Sequence, residues 1–565
     1  MKLSNYEASI EGYVKGPAMY VATDDLVVAP LSPISALGLP NRFKIPLNDL
    51  KENVVTIGIK EVKPIIKHTI NSFLLRIKGR IATNMAAATN TNTTTQTEEH
   101  VILKLLLNEK GNKVLFAEAG KDFVDILCSF LTIPLGTIAR LAEKQSIIGP
   151  VNVGCLNSLY KSVADLDQGC FSTDTIKQML LEPINAAEDY CNTLVLNIDD
   201  TQPTKYFACG QYCDTRNTHD LITSTNKDKY KCYCGGSFTS TVWPRRFKQG
   251  FVNGIATFII TDDLNVMPNC LDYASFGLLQ KFGIKNTSSV KEIVLNITKE
   301  KVLDLLKCCL LSNSPLTDLF LGKKPSAEVS RFSSSDVEIS GNIQINLKLV
   351  IRKSDGKVLC AQGEQDFADL LLSFLTFPLG GINRIFGENF SLGSIGRLYK
   401  SIAELNENRY LITKEAKNML VAPCISQQLK LSKQLFPILE PGVVEYNCYY
   451  DGYAIYGQFF NAGEDMSSAG ICWNLNFSNY VASHEGYVKG PAMYVATDDL
   501  IVAPLSPISA LGLLNRFKIP LDDLKEKVIT IGIKEALSIL KAGLTSKSAF
   551  TNGLAHLLTE VKVEK

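Results

Sequence analysis

The chain repeats itself at a spacing far longer than a solenoid period, and that repetition constrains every other reading of it. Residues 11–60 recur at 485–534 with about 45 of 50 positions identical. A third, diverged copy begins near Gly250 and keeps Thr261-Asp262-Asp263-Leu264, matching Thr23-Asp24-Asp25-Leu26 and Thr497-Asp498-Asp499-Leu500. We call this element A. A second element, B, occurs twice. Lys121-Asp122-Phe123-Val124-Asp125-Ile126-Leu127 returns as Gln365-Asp366-Phe367-Ala368-Asp369-Leu370-Leu371, and agreement continues to Leu159-Tyr160-Lys161-Ser162 and Leu398-Tyr399-Lys400-Ser401. The B copies lie about 240 residues apart, whereas stacked solenoid units repeat every 20–50 or so, which indicates duplication of a whole module.

The order A, B, A, B, A assigns two modules, 85–325 and 326–565, and leaves one copy of A in residues 1–84. Between that copy and the first B runs Asn84-Met85-Ala86-Ala87-Ala88-Thr89-Asn90-Thr91, a polar, low-complexity linker. Met85 before small residues reads as an ordinary chain start. Residues 1–84 are therefore expected to be the tail of a related chain joined to a complete two-module protein, or an artefact of the gene model.

Each B opens with two short apolar runs around a turn, Glu109-Lys110-Gly111-Asn112 in one copy and Ser354-Asp355-Gly356 in the other, which predicts hairpins. Phe123, Ile126, Leu127, Phe130 and Leu131 then fall on one helical stripe, which Pro134 should end; Pro378 does the same in the second copy. Helices are predicted near 156–166 and 173–181. In the last copy of A, strands at 492–495 and 500–503 are followed by a helix over 508–517, a strand over 528–533 and a helix from Lys534 to about Leu544. Strands and helices alternate without regular βαβ spacing. The expected fold is α+β: two tandem hairpin-plus-helices modules with mixed or mainly antiparallel sheets.

Composition narrows the function classes. Lys and Arg number 58 against 57 Asp and Glu, a net charge of +1, so no basic excess drives binding to nucleic-acid phosphates. No apolar run reaches the 18 or so residues a membrane span needs, and the N-terminus lacks the apolar stretch of a signal peptide. The 15 cysteines are accordingly read as free thiols, mostly packed as small apolar groups. An intracellular, cytoplasmic location is expected, the nucleus included.

One cysteine group stands apart, in an insert at about 205–250. Cys209 and Cys213 precede a polar stretch, and Cys232 and Cys234 are followed by Gly235-Gly236. Four thiolates from two short clusters could surround one zinc ion tetrahedrally, and glycine after the last ligand permits a tight turn. His219 offers a substitute ligand. Three readings stand open: a structural zinc, unliganded thiols, and redox chemistry. The second module keeps only Cys448 and Cys472, too few for such a site.

Catalytic patterns are sparse. The five histidines, His68, His100, His219, His484 and His556, do not recur between modules, so shared chemistry cannot use a histidine base. The thrice-repeated Thr-Asp-Asp reads as a turn whose side chains bond local amides, because adjacent strand residues point to opposite faces. Asp122 and Asp366 read as charges at helix N-termini. Trp243-Pro244-Arg245-Arg246-Phe247-Lys248 interleaves cations with aromatics, a pattern that touches nucleic acid in some proteins; in a near-neutral chain it reads as a solvated loop.

Lys113-Val114-Leu115-Phe116-Ala117-Glu118-Ala119-Gly120-Lys121-Asp122-Phe123-Val124-Asp125, with Ser129-Phe130-Leu131-Thr132-Ile133-Pro134-Leu135-Gly136, resembles the start of plant proteins grouped as "domain of unknown function 674". Tyr494-Val495-Ala496-Thr497-Asp498-Asp499-Leu500 and Ala536-Leu537-Ser538-Ile539-Leu540-Lys541-Ala542 resemble the same family. The resemblance runs from Met85 to about Ala555 and implies a plant, intracellular protein, with no activity attached. It also implies a cysteine cluster between B and A, which adds weight to zinc. Three functions follow from these readings: a non-catalytic interaction or scaffold protein with an unidentified protein partner; a zinc-containing nucleic-acid-associated module at Cys209–Lys248; or an enzyme of unrecognised chemistry.

Overall fold

The computed structural model describes residues 20–22, 28–30, 100–209, 218–223, 231–244 apart from 233, and 250–269 apart from 255. It further describes 289–323, 344–387, 390–429 apart from 391, 446–450, 455–459, 472–477, 485–506 and 519–558, with a few isolated positions between. The linker after Asn84, Cys213, Arg245 to Lys248, His68, His484 and the helix expected over 508–517 lie outside the described residues. The architecture is α+β.

Two compact units are present, one comprising Met1–Lys121, Gly254–Thr261 and Met267–Thr298, the other the remainder. In the first, β1 (Tyr20–Ala22) and β2 (Val28–Pro30) form an antiparallel hairpin. Strands β3 (Val101–Asn108) and β4 (Lys113–Ala119) form the hairpin expected from the first B. Its turn has Asn112 at φ 43°, and the Gly111 amide donates to Asn108 Oδ1 at 3.1 Å. The sheet order is β10-β3-β4-β8-β9, where β8 is Phe258–Thr261, β9 Val266–Pro268 and β10 Val290–Ile297. Strand β10 exposes Lys291, Glu292, Val294 and Asn296, and its charges suit a sheet edge that resists further pairing.

The second unit repeats that order. Its sheet runs β17-β16-β12-β11-β18, with β11 Ile345–Arg352, β12 Val358–Gly363, β16 Tyr494–Thr497, β17 Val502–Pro504 and β18 Leu524–Ile531. Asp355-Gly356 turns the β11–β12 hairpin, with Gly356 at φ 69°. Strand β18 begins four residues earlier than its apolar run, because it pairs along all eight residues of β11.

Helices α1 (Lys121–Thr132) and α2 (Leu135–Glu143) follow β4, and α7 (Gln365–Ser373) and α8 (Leu379–Phe386) follow β12. Between the two pairs come α3 (Leu156–Asp165), α4 (Ile176–Leu181), α5 (Lys299–Leu311) and α6 (Pro315–Phe320). Helices α9 (Ile395–Glu404), α10 (Lys414–Val421), α11 (Ile533–Thr545) and α12 (Ala549–Gly553) follow, and shorter helical turns lie at Glu188–Cys191, Glu407–Tyr410 and Ala555–Leu558. The α1 stripe is fully buried, as its spacing predicts. Pro134 and Pro378 cap the next helices and face each other across an antiparallel bridge. Leu135 N–H donates to Phe377 O at 2.9 Å and Leu379 N–H to Ile133 O at 3.1 Å, a reciprocal pair about a pseudo-two-fold axis. Proline cannot donate, so the residue after it makes the bond.

The helices after each B pack crosswise. Cys155, leading into α3, donates its N–H to Gly543 O at the end of α11, 2.6 Å away. Ser394, leading into α9, donates to Cys309 O at the end of α5, 2.8 Å away. Phe171 bridges to Val488, and Val252 to Leu411. Segments of 85–325 and 326–565 are thus interlocked within this unit. A closed barrel in the order β13-β14-β7-β5-β6-β15 also draws three strands from each half: β5 (Tyr206–Ala208), β6 (Thr218–Thr223) and β7 (Ser240–Pro244), with β13 (Tyr446–Tyr450), β14 (Ile455–Phe459) and β15 (Cys472–Phe477). The pairs β14–β7 and β15–β6 are parallel and join the halves.

Candidate metal centre

Strand β5 ends at Ala208, which delivers Cys209 to the edge of the barrel. The segment before β7 folds back to meet it: Cys232 N–H donates to Gly236 O at 2.9 Å and Gly235 N–H to Cys232 O at 2.8 Å. This tight loop needs Gly235 at φ 82°, a conformation that a Cβ disfavours. The result places the ligand atoms of Cys209, Cys232 and Cys234 all within 4.8 Å of one another. The Sγ atoms of Cys209 and Cys234 are 3.5 Å apart. Thiolates on a tetrahedral zinc, each at about 2.3 Å, stand about 3.8 Å from one another, so small side-chain adjustments suffice to hold an ion. Gly236 N–H donates to Cys234 Sγ at 3.3 Å, the kind of amide contact that stabilises a thiolate.

Cys209 and Cys232 are buried in a small cluster with Ile222 and Phe238, and Phe207 packs against it. Cys234 is exposed. The three-cysteine group could therefore bind a metal through two sheltered thiolates and one at the surface. Of the four expected ligands the fold brings together Cys209, Cys232 and Cys234, and Cys213 lies outside the described residues. His219 sits on β6, paired in register with Leu475. Cys448 and Cys472 lie on neighbouring strands β13 and β15.

The other buried thiols are poor nucleophiles. Burial, aided by the nearby carboxylates of Asp498 and Asp499, pushes the Cys155 thiol up to about 12. Burial raises Cys191 and Cys308 to about 12 as well. These are packed thiols, as the apolar sequence context predicts.

Two carboxylate pairs recur at equivalent places, and both are spent on backbone amides. Asp125 Oδ1 accepts from Phe251 N–H and Val252 N–H, each at 2.8 Å. Asp369 Oδ1 accepts from Tyr487 N–H at 2.8 Å and Val488 N–H at 3.0 Å. Burial pushes the Asp369 carboxyl up to about 7, even though those amides oppose the rise. Asp122 and Asp366 occupy the first turns of α1 and α7, as expected of charges at helix N-termini, and neither Asp125 nor Asp369 is singled out by its local sequence. The available signal was that Asp125 and Asp369 recur at the same place in both copies, three residues after Asp122 and Asp366 and on the helix face opposite the apolar stripe.

The two Thr-Asp-Asp copies among the described residues are turns, but their first carboxylates reach far in sequence. Asp262 accepts from Thr317 N–H (2.8 Å) and Thr317 Oγ1 (2.7 Å). Asp498 accepts from Phe550 N–H, Thr551 N–H and Thr551 Oγ1, each at 2.9 Å. They cap the starts of α6 and α12, where unpaired amides favour negative charge. One further acidic pair, Glu188 and Asp189, lies before β5. Glu188 is held by Thr204 and Tyr206, and burial with the neighbouring Glu188 charge lifts Asp189 to about 7.

Among the described residues no helix is long and apolar enough to cross a membrane. No curated protein and no solved structure matches the chain. A family model described as "Protein of unknown function (DUF674)" matches residues 2–60 and 97–535, thereby including the first copy of element A as well as both copies of B. With most of its length matched, the chain belongs to this family.

Proposed function

We propose that this chain is a non-catalytic, intracellular interaction protein, and that its cysteine-rich insert is held by one structural zinc ion. The observation that carries the first part is the use of the repeated carboxylates. Asp125, Asp369, Asp262 and Asp498 each bond backbone amides of a distant segment, so the polar groups common to both halves support shape. Selection for two copies of a shape, without a shared reactive constellation, fits a protein that presents surfaces to partners. Recovery of the endogenous protein under gentle conditions tests this. It should migrate well above the mass of one chain with a reproducible companion, and recovery as a lone chain counts against the reading.

The zinc is supported by the convergence of Cys209, Cys232 and Cys234 on one point from segments more than twenty residues apart. Zinc would tie β5 to the loop before β7, and Cys213 is the fourth ligand that the spacing offers. Metal analysis of the purified chain should find about one zinc per chain and a substantial loss in C232S. No zinc in either protein overturns this part and leaves the interaction reading standing. A neutral net charge supplies little counterion release, so nucleic-acid binding is the weaker use of the insert.

A further inference from the structure

The first copy of element A forms the same hairpin as the third. In β1–β2 the partners are Tyr20 with Pro30, Val21 with Ala29 and Ala22 with Val28. In β16–β17 they are Tyr494 with Pro504, Val495 with Ala503 and Ala496 with Val502. These are the same residues in the same register. The third copy, however, has a place to sit: β16 pairs with β12 and β18 with β11. The β1–β2 pair is a two-stranded sheet among the described residues, and isolated two-stranded hairpins are marginal in water.

The side chains that seat the third copy on the second B are kept in the first. Tyr487 O–H donates to Leu429 O at 2.6 Å, and Tyr13 matches it. Ser354 N–H and Oγ donate to Asp523, Lys348 donates to Glu526, and Thr530 Oγ1 donates to Asn346. Asp49, Glu52 and Thr56 hold the matching positions. The substitutions spare those side chains, although Asn53 and Val55 match Lys527 and Ile529 on β18, opposite Leu349 and Leu347. Asn53 stands where Lys527 donates to Leu557 O, a contact within the third copy's own C-terminal segment. Asn48 replaces the exposed Asp522, which offers Lys353 only its backbone carbonyl. Val27 and Val55 replace Ile501 and Ile529, changes of one methylene. Pro40 replaces Leu514. Beyond residue 60 the likeness weakens, although Glu61, Ile65 and Lys67 still match Glu535, Ile539 and Lys541, and Pro64 takes the place of Ser538 inside α11, a position where proline is disfavoured. The first copy therefore retains the side chains that dock on a sheet, and its sequence diverges over the stretch that matches α11.

We propose that residues 11–60 dock on the β11–β12 hairpin of a second copy of this chain, taking the place of its residues 485–534. The exchange replaces one set of strand contacts by a nearly identical set, so it proceeds at little net cost and is governed by concentration. Two chains that exchange reciprocally close into a pair. The target is the second B specifically, because the first copy of A matches the third and not the diverged one at Gly250. This inference stands apart from the zinc and from any other partner.

Disulfide trapping tests it in the full-length chain. Cys360 on β12 is opposite Thr497 on β16, and Thr23 matches Thr497. Light and isotopically heavy preparations of T23C are mixed at high concentration and oxidised with copper–phenanthroline. The expected product is a covalent dimer whose linked peptides carry positions 23 and 360, one light and one heavy, and whose yield rises with concentration. T497C is the control for the register and should link to 360 within one chain. Adding V21D, which puts a charge where Val495 is buried in the matching strand, should cut the dimer by about tenfold while the thermal melt is unchanged. A T23C chain that gives no link where T497C does, links only within one chain, or links equally well with V21D overturns the proposal.

Discussion

At the scale of single residues, the buried carboxylates do the most work per atom. Asp369 serves two amides from one oxygen while its own desolvation raises its pKa to about 7. The two consequences can be separated by substitution. D369A leaves two buried amides unpaired and should cost about 2–5 kcal/mol, seen as a lower midpoint in urea unfolding. D369N keeps an acceptor oxygen and sheds the buried charge, so near neutral pH it should lose far less than D369A. The sign of the pH effect follows from the raised value. The folded form holds its proton up to about 7, whereas an unfolded aspartate releases it near 3.8, so the contribution of this residue is fully present below the lower value and declines as pH rises through 7. Unfolding midpoints from pH 4 to 8 should therefore fall more steeply in the native chain than in D369N. Sequence alone made the repetition of Asp369 and Asp125 visible, but the amides they serve lie more than a hundred residues away, and no local pattern encodes that distance.

Elements are joined by very close backbone approaches, and glycines mark where. A Cβ on Gly136 would lie 2.9 Å from Leu180 O and 3.2 Å from Leu375 O; on Gly380 it would lie 2.9 Å from both Leu131 O and Leu420 O. Both glycines follow the paired prolines, so the contact between α2 and α8 at their N-termini admits no side chain. G136A and G380A should each lower stability by about 1–3 kcal/mol through forced backbone shifts, measurable as a drop in Tm. The cysteine loop is another such junction. With zinc bound, the exposed Cys234 should resist alkylation, and a chelator should expose it to the reagent within the same mass-spectrometric assay. The hairpins, the α1 stripe and its proline stop were legible in periodicity because those signals are local. The full length of β18 was not, because its extra residues are strand only by pairing with β11.

For the molecule as a whole, interlocking is the feature with the widest consequence. The crosswise bonds of Cys155 with Gly543 and Ser394 with Cys309, together with the shared barrel, leave each half without its partner surfaces when separated. Residues 85–325 or 326–565 expressed alone should give broad, non-cooperative melts, and the two co-expressed should co-purify and melt sharply. The sequence by itself determined the α+β class, the B hairpins, the α1 helix and the repeated stretches, since apolar period, turn residues and repetition are properties of the chain read locally, whereas the barrel strands carry no such local pattern. Only the tertiary structure decided which copy lies against which. Three like copies of A and two of B leave several pairings equivalent in pattern, and that degeneracy is broken by long-range hydrogen bonds and packing that no short stretch of sequence contains.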